Sequence, residues 1–119
     1  MYNYKAYVEK CQDGDTLTLT VHLGFYITLT HQTFRLYGVD AVESTTKKGK
    51  ELKRLFKDAL TGKTVEIETK KYVRGMKKGK SKKGKYGRWL ARIKTDEFGW
   101  LDTWIIRHKY GKRYYGGKR

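Results

Sequence analysis

Two short groups of carboxylates stand out in a chain that is otherwise strongly basic. Asp13 and Asp15 flank a glycine, and Asp40 lies three residues before Glu43. Carboxylate oxygens are hard ligands of the kind that Ca²⁺ and Mg²⁺ prefer. If neighbouring strands bring Asp15 and Asp40 together, a cation must offset their like charges or one pKa must rise. The two groups therefore predict a divalent-cation site.

Two arginines are spaced so that they could serve the same site. Arg35 lies five residues before Asp40, and Arg88 begins the strand predicted after the basic segment. Because the neighbours Phe34 and Leu36 are apolar, the Arg35 side chain should face away from the core and toward the carboxylates. Carboxylates, a divalent cation and two guanidinium groups form a set suited to phosphodiester hydrolysis. The cation polarises the phosphate, the arginines stabilise the transition state and a carboxylate activates water.

Simpler interpretations of these residues stay open, whereas two known loop types are excluded. Asp-Gly-Asp at 13–15 is also a common turn, and Arg35 alone is typical of a surface strand. A calcium-binding EF-hand loop needs a glutamate at its twelfth position, which is Gly24 when counted from Asp13. The glycine- and lysine-rich stretch 79–86 ends in a tyrosine, where a P-loop has serine or threonine.

The basic residues are concentrated in two segments. Lys plus Arg number 28 against 12 Asp plus Glu, which gives a formal net charge of +16. This imbalance predicts a polyanionic partner, DNA or RNA. We expect a mobile basic loop over 72–86 and a basic tail over 111–119; a merely solvated loop is the alternative. The lysines expected to contact phosphate are Lys77, Lys78, Lys80, Lys82, Lys83 and Lys85. Tyr86 and Tyr115 are among the tyrosines that could stack on bases.

The hydrophobic pattern predicts a small β-barrel with two helices. Strand-like stretches occur at 4–10, 16–23, 25–29, 34–39, 64–68 and 88–94. Between Lys47 and Leu60 the apolar period changes to that of a helix, with Gly62 just beyond as a stop. A second helical face begins at Trp100. Short strands with one inserted helix favour a five-stranded oligonucleotide-binding (OB) barrel in a single domain over 1–119.

Composition excludes several classes of protein. No apolar run approaches the ~18 residues of a membrane span, and residues 1–12 are too polar for a signal peptide. Cys11 is the only cysteine, so neither an internal disulfide nor a cysteine zinc site can form. We expect a monomer without a membrane partner, either cytoplasmic or virus-encoded within a host cell.

Three motifs, taken in order, resemble those of the staphylococcal (micrococcal) nuclease family, the thermonucleases. They are Asp-Gly-Asp-Thr-Leu at 13–17, Phe-Arg-Leu-Tyr-Gly-Val-Asp-Ala-Val-Glu at 34–43 and Lys-Tyr-Gly-Arg-Trp-Leu-Ala at 85–91. Their spacing and the predicted helices fit as well, so the resemblance covers nearly the whole chain. The segment 21–33 and the Tyr-Tyr-Gly-Gly-Lys-Arg ending are most similar to short members from bacteriophages and mobile elements.

The resemblance implies an OB barrel with a Ca²⁺-dependent endonuclease site. Such an enzyme hydrolyses DNA and RNA with little sequence specificity and leaves 3′-phosphate and 5′-hydroxyl ends; Mg²⁺ or Mn²⁺ are the alternative metals. By position, Asp15 and Asp40 would bind the metal through their carboxylates, and Ala41 through its backbone carbonyl. Glu43 would orient or deprotonate the attacking water.

The resemblance also assigns residues to the phosphate and the nucleotide. Arg35 and Arg88 would hold the phosphate and stabilise its pentacoordinate state, and Tyr86 and Tyr115 would contact the nucleotide. Two other functions stay open, a catalytically inactive nucleic-acid-binding barrel and an adaptor that holds another protein. Binding alone requires no carboxylates, which repel phosphate unless a cation is present. The carboxylates and arginines therefore favour the enzyme.

Overall fold

The computed structural model describes residues 2–69 and 89–115, which form eight strands and two helices. In chain order they are β1 (Tyr2–Asp13), β2 (Thr16–Gly24), β3 (Ile27–Leu36), β4 (Gly38–Ala41), α1 (Lys47–Leu60), β5 (Thr64–Thr69), β6 (Trp89–Thr95), β7 (Gly99–Trp100), α2 (Leu101–Arg107) and β8 (Gly111–Tyr114). Neither helix of these residues is long and apolar enough to cross a membrane.

Five strands close into a barrel. They lie in the order β3-β2-β1-β5-β6, each antiparallel to its neighbours, and β6 returns to pair with β3 in parallel through Phe34 and Trp89. The short β7 extends β6, and β4 pairs with β8 in a separate two-stranded sheet. The predicted OB-like barrel is confirmed, with one helix inserted between strands and a second near the end of the described chain.

Alternation along the strands fills the barrel with apolar side chains. In β2, Leu17, Leu19 and Val21 are buried, whereas Thr18 and Thr20 between them stay partly exposed. Because successive side chains of a strand point to opposite faces, this alternation places one face of each strand in the core. The buried apolar residues of the barrel strands are Ala6, Val8, Cys11, Leu17, Leu19, Val21, Phe34, Leu36, Val65, Ile67, Ala91 and Ile93.

The first helix has the bounds that the sequence predicts. Thr46 caps it by accepting a hydrogen bond from the Gly49 amide at 3.0 Å, and Gly62 follows it with a φ of +82°. Its face of Leu52, Phe56 and Leu60 is buried. This face covers the barrel and carries Phe56 onto Trp104 of α2, with ring centroids 5.7 Å apart.

Two parts of the strand prediction differ from the structure. The stretches predicted at 25–29 and 34–39 belong to one strand, β3, followed by β4, and Phe25 lies in the turn before β3 rather than within a strand. The polar residues 30–33 interrupt the apolar alternation, although their backbone stays in the sheet. Residues 111–114, within the predicted tail, form β8; residues 116–119 and the predicted loop 72–86 lie outside the described residues.

Candidate active site

Three segments far apart in the sequence meet at the start of β2. The strand register places Thr16 opposite Arg35, and the Leu36 amide donates to the Asp15 carbonyl at 2.8 Å. The Asp15 carboxylate in turn accepts a hydrogen bond from the Ala41 amide at 3.1 Å. Backbone contacts thus bring Asp15, Arg35 and the β4 residues Asp40 and Ala41 to one place.

The guanidinium of Arg35 bridges the two aspartates. Its Nη2 atom lies 3.5 Å from Asp15 Oδ2 and 3.4 Å from Asp40 Oδ1, and its Nη1 donates to the Leu36 carbonyl at 3.2 Å. The three side chains retain only 11%, 14% and 17% of their exposure, for Arg35, Asp15 and Asp40 respectively. Two negative charges and one positive charge therefore share a site that is largely shielded from water.

A local turn fixes the Asp15 carboxylate. The Asp15 amide donates to Asp13 Oδ1 at 3.1 Å, and Thr16 Oγ1 donates to Asp15 Oδ1 at 3.3 Å. Burial, aided by the Asp13 carboxylate, raises the pKa of Asp15 from its ordinary 3.8 to about 6, against the opposing pull of Arg35. The fold therefore disfavours the charged form of the Asp15 carboxylate. A bound cation would offset this charge, which is what a metal ligand requires.

Replacing Asp15 with Asn should stabilise the protein at neutral pH when metal is removed. The unfolded chain releases this proton near its ordinary pKa of 3.8, whereas the folded protein holds it to a pKa of about 6. The free energy of unfolding therefore falls as the pH rises through this window, and the full penalty is present above pH 6. We expect Asp15→Asn to gain about 1–3 kcal/mol in urea unfolding at pH 7.5 with EDTA.

The matched control for this experiment is Asp58→Asn, an exposed carboxylate of α1, which should change little. At pH 4 the advantage of Asp15→Asn should largely disappear, because the folded wild type is then protonated. Added Ca²⁺ should raise the Tm of the wild type and leave that of Asp15→Asn nearly unchanged. A less stable Asp15→Asn at pH 7.5 would mean that attraction to Arg35 outweighs the cost of burial.

Glu43 is exposed, and its backbone lies against the start of α1. Its carbonyl accepts hydrogen bonds from the amide and the hydroxyl of Thr46, at 3.0 and 2.7 Å. The helix packs so tightly against this carbonyl that a Cβ on Gly49 would overlap the Glu43 oxygen. The position of Glu43 is thus set by backbone contacts, which leave its carboxylate exposed three residues from Asp40.

The strand β8 supports β4 and covers Arg35. Gly111 lies opposite Ala41, and a Cβ there would come within 2.7 Å of the Asp40 carbonyl, so the close pairing requires glycine. The Arg35 guanidinium carbon lies 5.6 Å from the centroid of the Tyr114 ring, within reach of a cation–π contact. β8 therefore forms one wall of the site.

A buried carboxylate holds β8 in place. Asp102, in the first turn of α2, is almost fully buried and accepts hydrogen bonds from Arg92 at 3.3 Å and from Arg113 of β8 at 3.1 Å. The Arg92 guanidinium also lies over the Trp100 ring, 4.2 Å from its centroid. A buried charge needs such partners. This network joins α2, β6 and β8 behind the candidate site.

The structure places only some of the predicted functional residues. Arg88, Tyr86 and the lysines between 77 and 85 lie outside the described residues, so their roles stay predictions. Tyr115 is exposed, and its ring centroid lies 5.3 Å from that of Tyr37 on the β4–β8 side. No sequence pattern indicated the support supplied by Gly49 and Asp102, and Tyr114 was indicated only as one of the tyrosines that could stack on bases.

The carboxylate pair suits a hard divalent cation. Among residues 2–69 and 89–115, no three acidic, histidine or cysteine side chains are grouped so as to share a metal. Asp15 and Asp40 both contact one nitrogen of Arg35, so they could supply two oxygen ligands. Backbone carbonyls, such as that of Ala41, and water would complete the shell, as Ca²⁺ and Mg²⁺ allow.

Comparison with known proteins gives no family for this chain. A scan against models of protein families found no match, and a search of curated proteins found none. The motifs and the contacts around Asp15, Arg35 and Asp40 are therefore the features of this chain that bear on its function.

Proposed function

We propose that this chain is a metal-dependent phosphodiesterase that hydrolyses DNA and RNA with little sequence specificity. The observation that carries the proposal is the Arg35 guanidinium, which bridges two shielded aspartates from separate segments, with an exposed glutamate three residues beyond Asp40. The resemblance to the staphylococcal nuclease family adds the expectations of Ca²⁺ as the metal and of 3′-phosphate and 5′-hydroxyl products.

The charges of the cluster support a role in catalysis beside one in binding. The two aspartates, Asp15 and Asp40, carry more negative charge than Arg35 can offset. These three side chains would therefore repel a phosphate when no cation is bound. A protein that only bound nucleic acid would gain nothing from holding two aspartates together at the cost of burying them. When bound, a divalent cation would offset this charge and polarise the phosphodiester.

Each side chain of the candidate site would then have a distinct role. Asp15, Asp40 and the Ala41 carbonyl would hold the cation in place. Arg35 would donate hydrogen bonds to a phosphate oxygen and stabilise the charge that develops in the transition state. Glu43, whose carboxylate is exposed, would orient a water molecule and take its proton as that water attacks phosphorus. The bond from phosphorus to the 5′-oxygen would break, and this oxygen would leave as a hydroxyl after taking a proton from solvent.

Digestion of single-stranded and duplex DNA and of RNA tests the proposal. We expect the wild type to cut all three with Ca²⁺ and none of them in EDTA. We expect Asp40→Asn to cut none of them even with Ca²⁺. Asp58→Asn provides a control with the same loss of charge. A polymerase should extend the products only after phosphatase treatment, because a 3′-phosphate blocks extension. Products that are extended directly would contradict the expected cleavage chemistry.

A nucleic-acid-binding barrel without catalysis is the second candidate, which the net charge of +16 favours. Tight, salt-sensitive binding with no cutting under Ca²⁺, Mg²⁺ or Mn²⁺ would establish it in place of the enzyme. Because neutralised phosphates release counterions, the log of the affinity should then fall with log salt by about 0.9 per phosphate contacted on duplex DNA.

A further inference from the structure

The hairpin of β2 and β3 carries two aromatic side chains that the barrel does not use. Phe25 is 95% exposed and Tyr26 fully exposed. The flanking apolar residues Leu23, Ile27 and Leu29 are also exposed, though less so. Large apolar side chains are normally buried, so this hairpin tip, defined here as residues 23–27, needs an explanation other than packing.

The backbone at the tip makes the choice of residues more unusual. Gly24 pairs with Ile27, which leaves a two-residue turn in which both Phe25 and Tyr26 have positive φ, +53° and +62°. Turns of this kind favour Asn and Gly, because bulky side chains are strained at positive φ. Strain at such a position points to a function of the side chains.

The base of the hairpin is braced against the barrel. His31, which also has positive φ, donates its amide to Glu9 Oε2 at 2.9 Å, and its ring lies 2.8 Å from Glu9 Oε1. Thr20 Oγ1 donates to the same carboxylate at 2.8 Å. The Glu9 charge is thus engaged by β2 and β3, and the tip is held at a defined place relative to β1.

Charge selects the kind of partner for this tip. The chain carries +16, and the segment 70–88, with ten Lys or Arg and no acid, joins the barrel at Thr69 and Trp89. Trp89 donates to Gln32 at the base of the hairpin at 2.8 Å. The charge of the whole chain therefore attracts a polyanion such as a nucleic acid, and the exposed rings at the hairpin tip supply the stacking contacts that bind single strands.

A lipid surface fits these features less well. Residues 16–34 contain no Lys or Arg, whereas apolar elements that seat in a membrane interface are typically flanked by cations that contact the headgroups. Stacking on a base needs an exposed ring and no charge at the ring itself. The side chains with the greatest exposure at the tip are the two aromatic ones, Phe25 and Tyr26.

We propose that Phe25 and Tyr26 form a stacking subsite for the bases of single-stranded DNA or RNA. β2 has nine residues, so at about 3.3 Å per residue the tip lies roughly 25 Å from the candidate active site. The subsite would therefore be reached by extended strands and not by very short ones. It rests on the nucleic-acid substrate of the proposed function and not on the cleavage chemistry.

Binding measured in EDTA tests the subsite separately from cutting. The probe is a fluorophore-labelled 15-nucleotide thymidine oligonucleotide, followed by fluorescence anisotropy. Because base stacking contributes about 1–3 kcal/mol per base, the double variant Phe25→Ala/Tyr26→Ala should bind about 10- to 100-fold more weakly. Phe25→Leu/Tyr26→Leu should lose as much, since leucine keeps the apolar character without the ring. Thr28→Ala, an exposed residue of the same hairpin, is the control.

Two further probes distinguish stacking from other contacts. An abasic oligonucleotide of the same length and a trinucleotide should each bind the wild type and the double variants equally. Wild-type affinity in the leucine variant would show apolar contact instead of stacking and would overturn the proposal. Unchanged affinity in the alanine variant would eliminate the subsite. A wild type that does not bind the oligonucleotide would eliminate it as well.

Other occupants of the tip would leave distinct signatures. Loss of binding to phosphatidylserine vesicles, or loss of a dimer in sedimentation, with oligonucleotide affinity unchanged, would assign the tip to a membrane or to a second copy and overturn the proposal. A wild type that shows the stacking signature but cuts nothing with any metal would refute the proposed function and leave the subsite standing.

Discussion

The Glu43→Gln variant is expected to cut DNA about 10²- to 10⁴-fold more slowly than the wild type, with nearly unchanged folding and binding. General acid–base catalysis by one side chain contributes this much, and glutamine cannot take the proton of the attacking water. The structural contacts of the residue are made by its carbonyl, which accepts from Thr46, and the exposed carboxylate can be replaced without a packing defect. Single-turnover cutting with Ca²⁺ at pH 7.5 measures the loss.

Affinity in EDTA and the Tm serve as the matched measurements, and Glu97→Gln, an exposed turn residue, removes the same charge elsewhere. Both variants should bind and melt as the wild type does, while only Glu43→Gln loses turnover. Wild-type cutting by Glu43→Gln would remove this residue from the mechanism. An equal loss in Glu97→Gln would indicate that the effect is one of net charge.

The Gly49→Ala variant is expected to lose about 2–3 kcal/mol of stability, in contrast to the usual effect of this substitution. In an exposed helix, alanine in place of glycine stabilises by up to about 1 kcal/mol. Here the added methyl group would overlap the Glu43 carbonyl oxygen, which belongs to backbone and cannot turn aside. The start of α1 must therefore move away from the segment that follows β4. Urea unfolding of both proteins measures the difference.

The same displacement should lower cutting about 100-fold at temperatures where Gly49→Ala is still folded, because small misplacements of catalytic groups are costly. Lys50→Ala, the exposed neighbour in α1, is the control and should keep both stability and turnover. A more stable Gly49→Ala would contradict the close packing of the helix against Glu43. A destabilised variant with full turnover would mean that the position of Glu43 does not matter for the reaction.

Much of the fold and the centre of the site could be predicted from the sequence because they follow from periodicity and order. Apolar alternation in β2 and the helical spacing from Lys47 to Leu60 each leave a repeated signal. We could expect Asp15, Arg35 and Asp40 to meet from two premises alone. Their strands had to be neighbours, and the Arg35 side chain had to face away from the core. The structure brings these three together as predicted.

Other parts left no signal that a single segment could carry. The Gly-Lys-Arg-Tyr sequence of β8 lacks an apolar alternation, and the strand forms because its backbone pairs with β4. Asp102 looks like a solvent-exposed acid of a short helix, yet it is buried because two arginines from other strands reach it. Phe25 has a strong preference for strands, and its place in a turn is decided by the pairing on either side.

The pairing of β4 with β8 gives the folding of this chain a sequence of events. β1, β2 and β3 are joined by short turns, so their pairing closes small loops and costs little chain entropy. The strand that carries Asp40, β4, instead pairs with β8, where Ala41 lies opposite Gly111. The barrel closes where Phe34 pairs with Trp89. Both pairings join residues that are far apart in the chain. We therefore expect the local hairpins to form before β4 pairs with β8, so that a chain in which only these hairpins are paired holds Asp15 and Arg35 without Asp40 beside them.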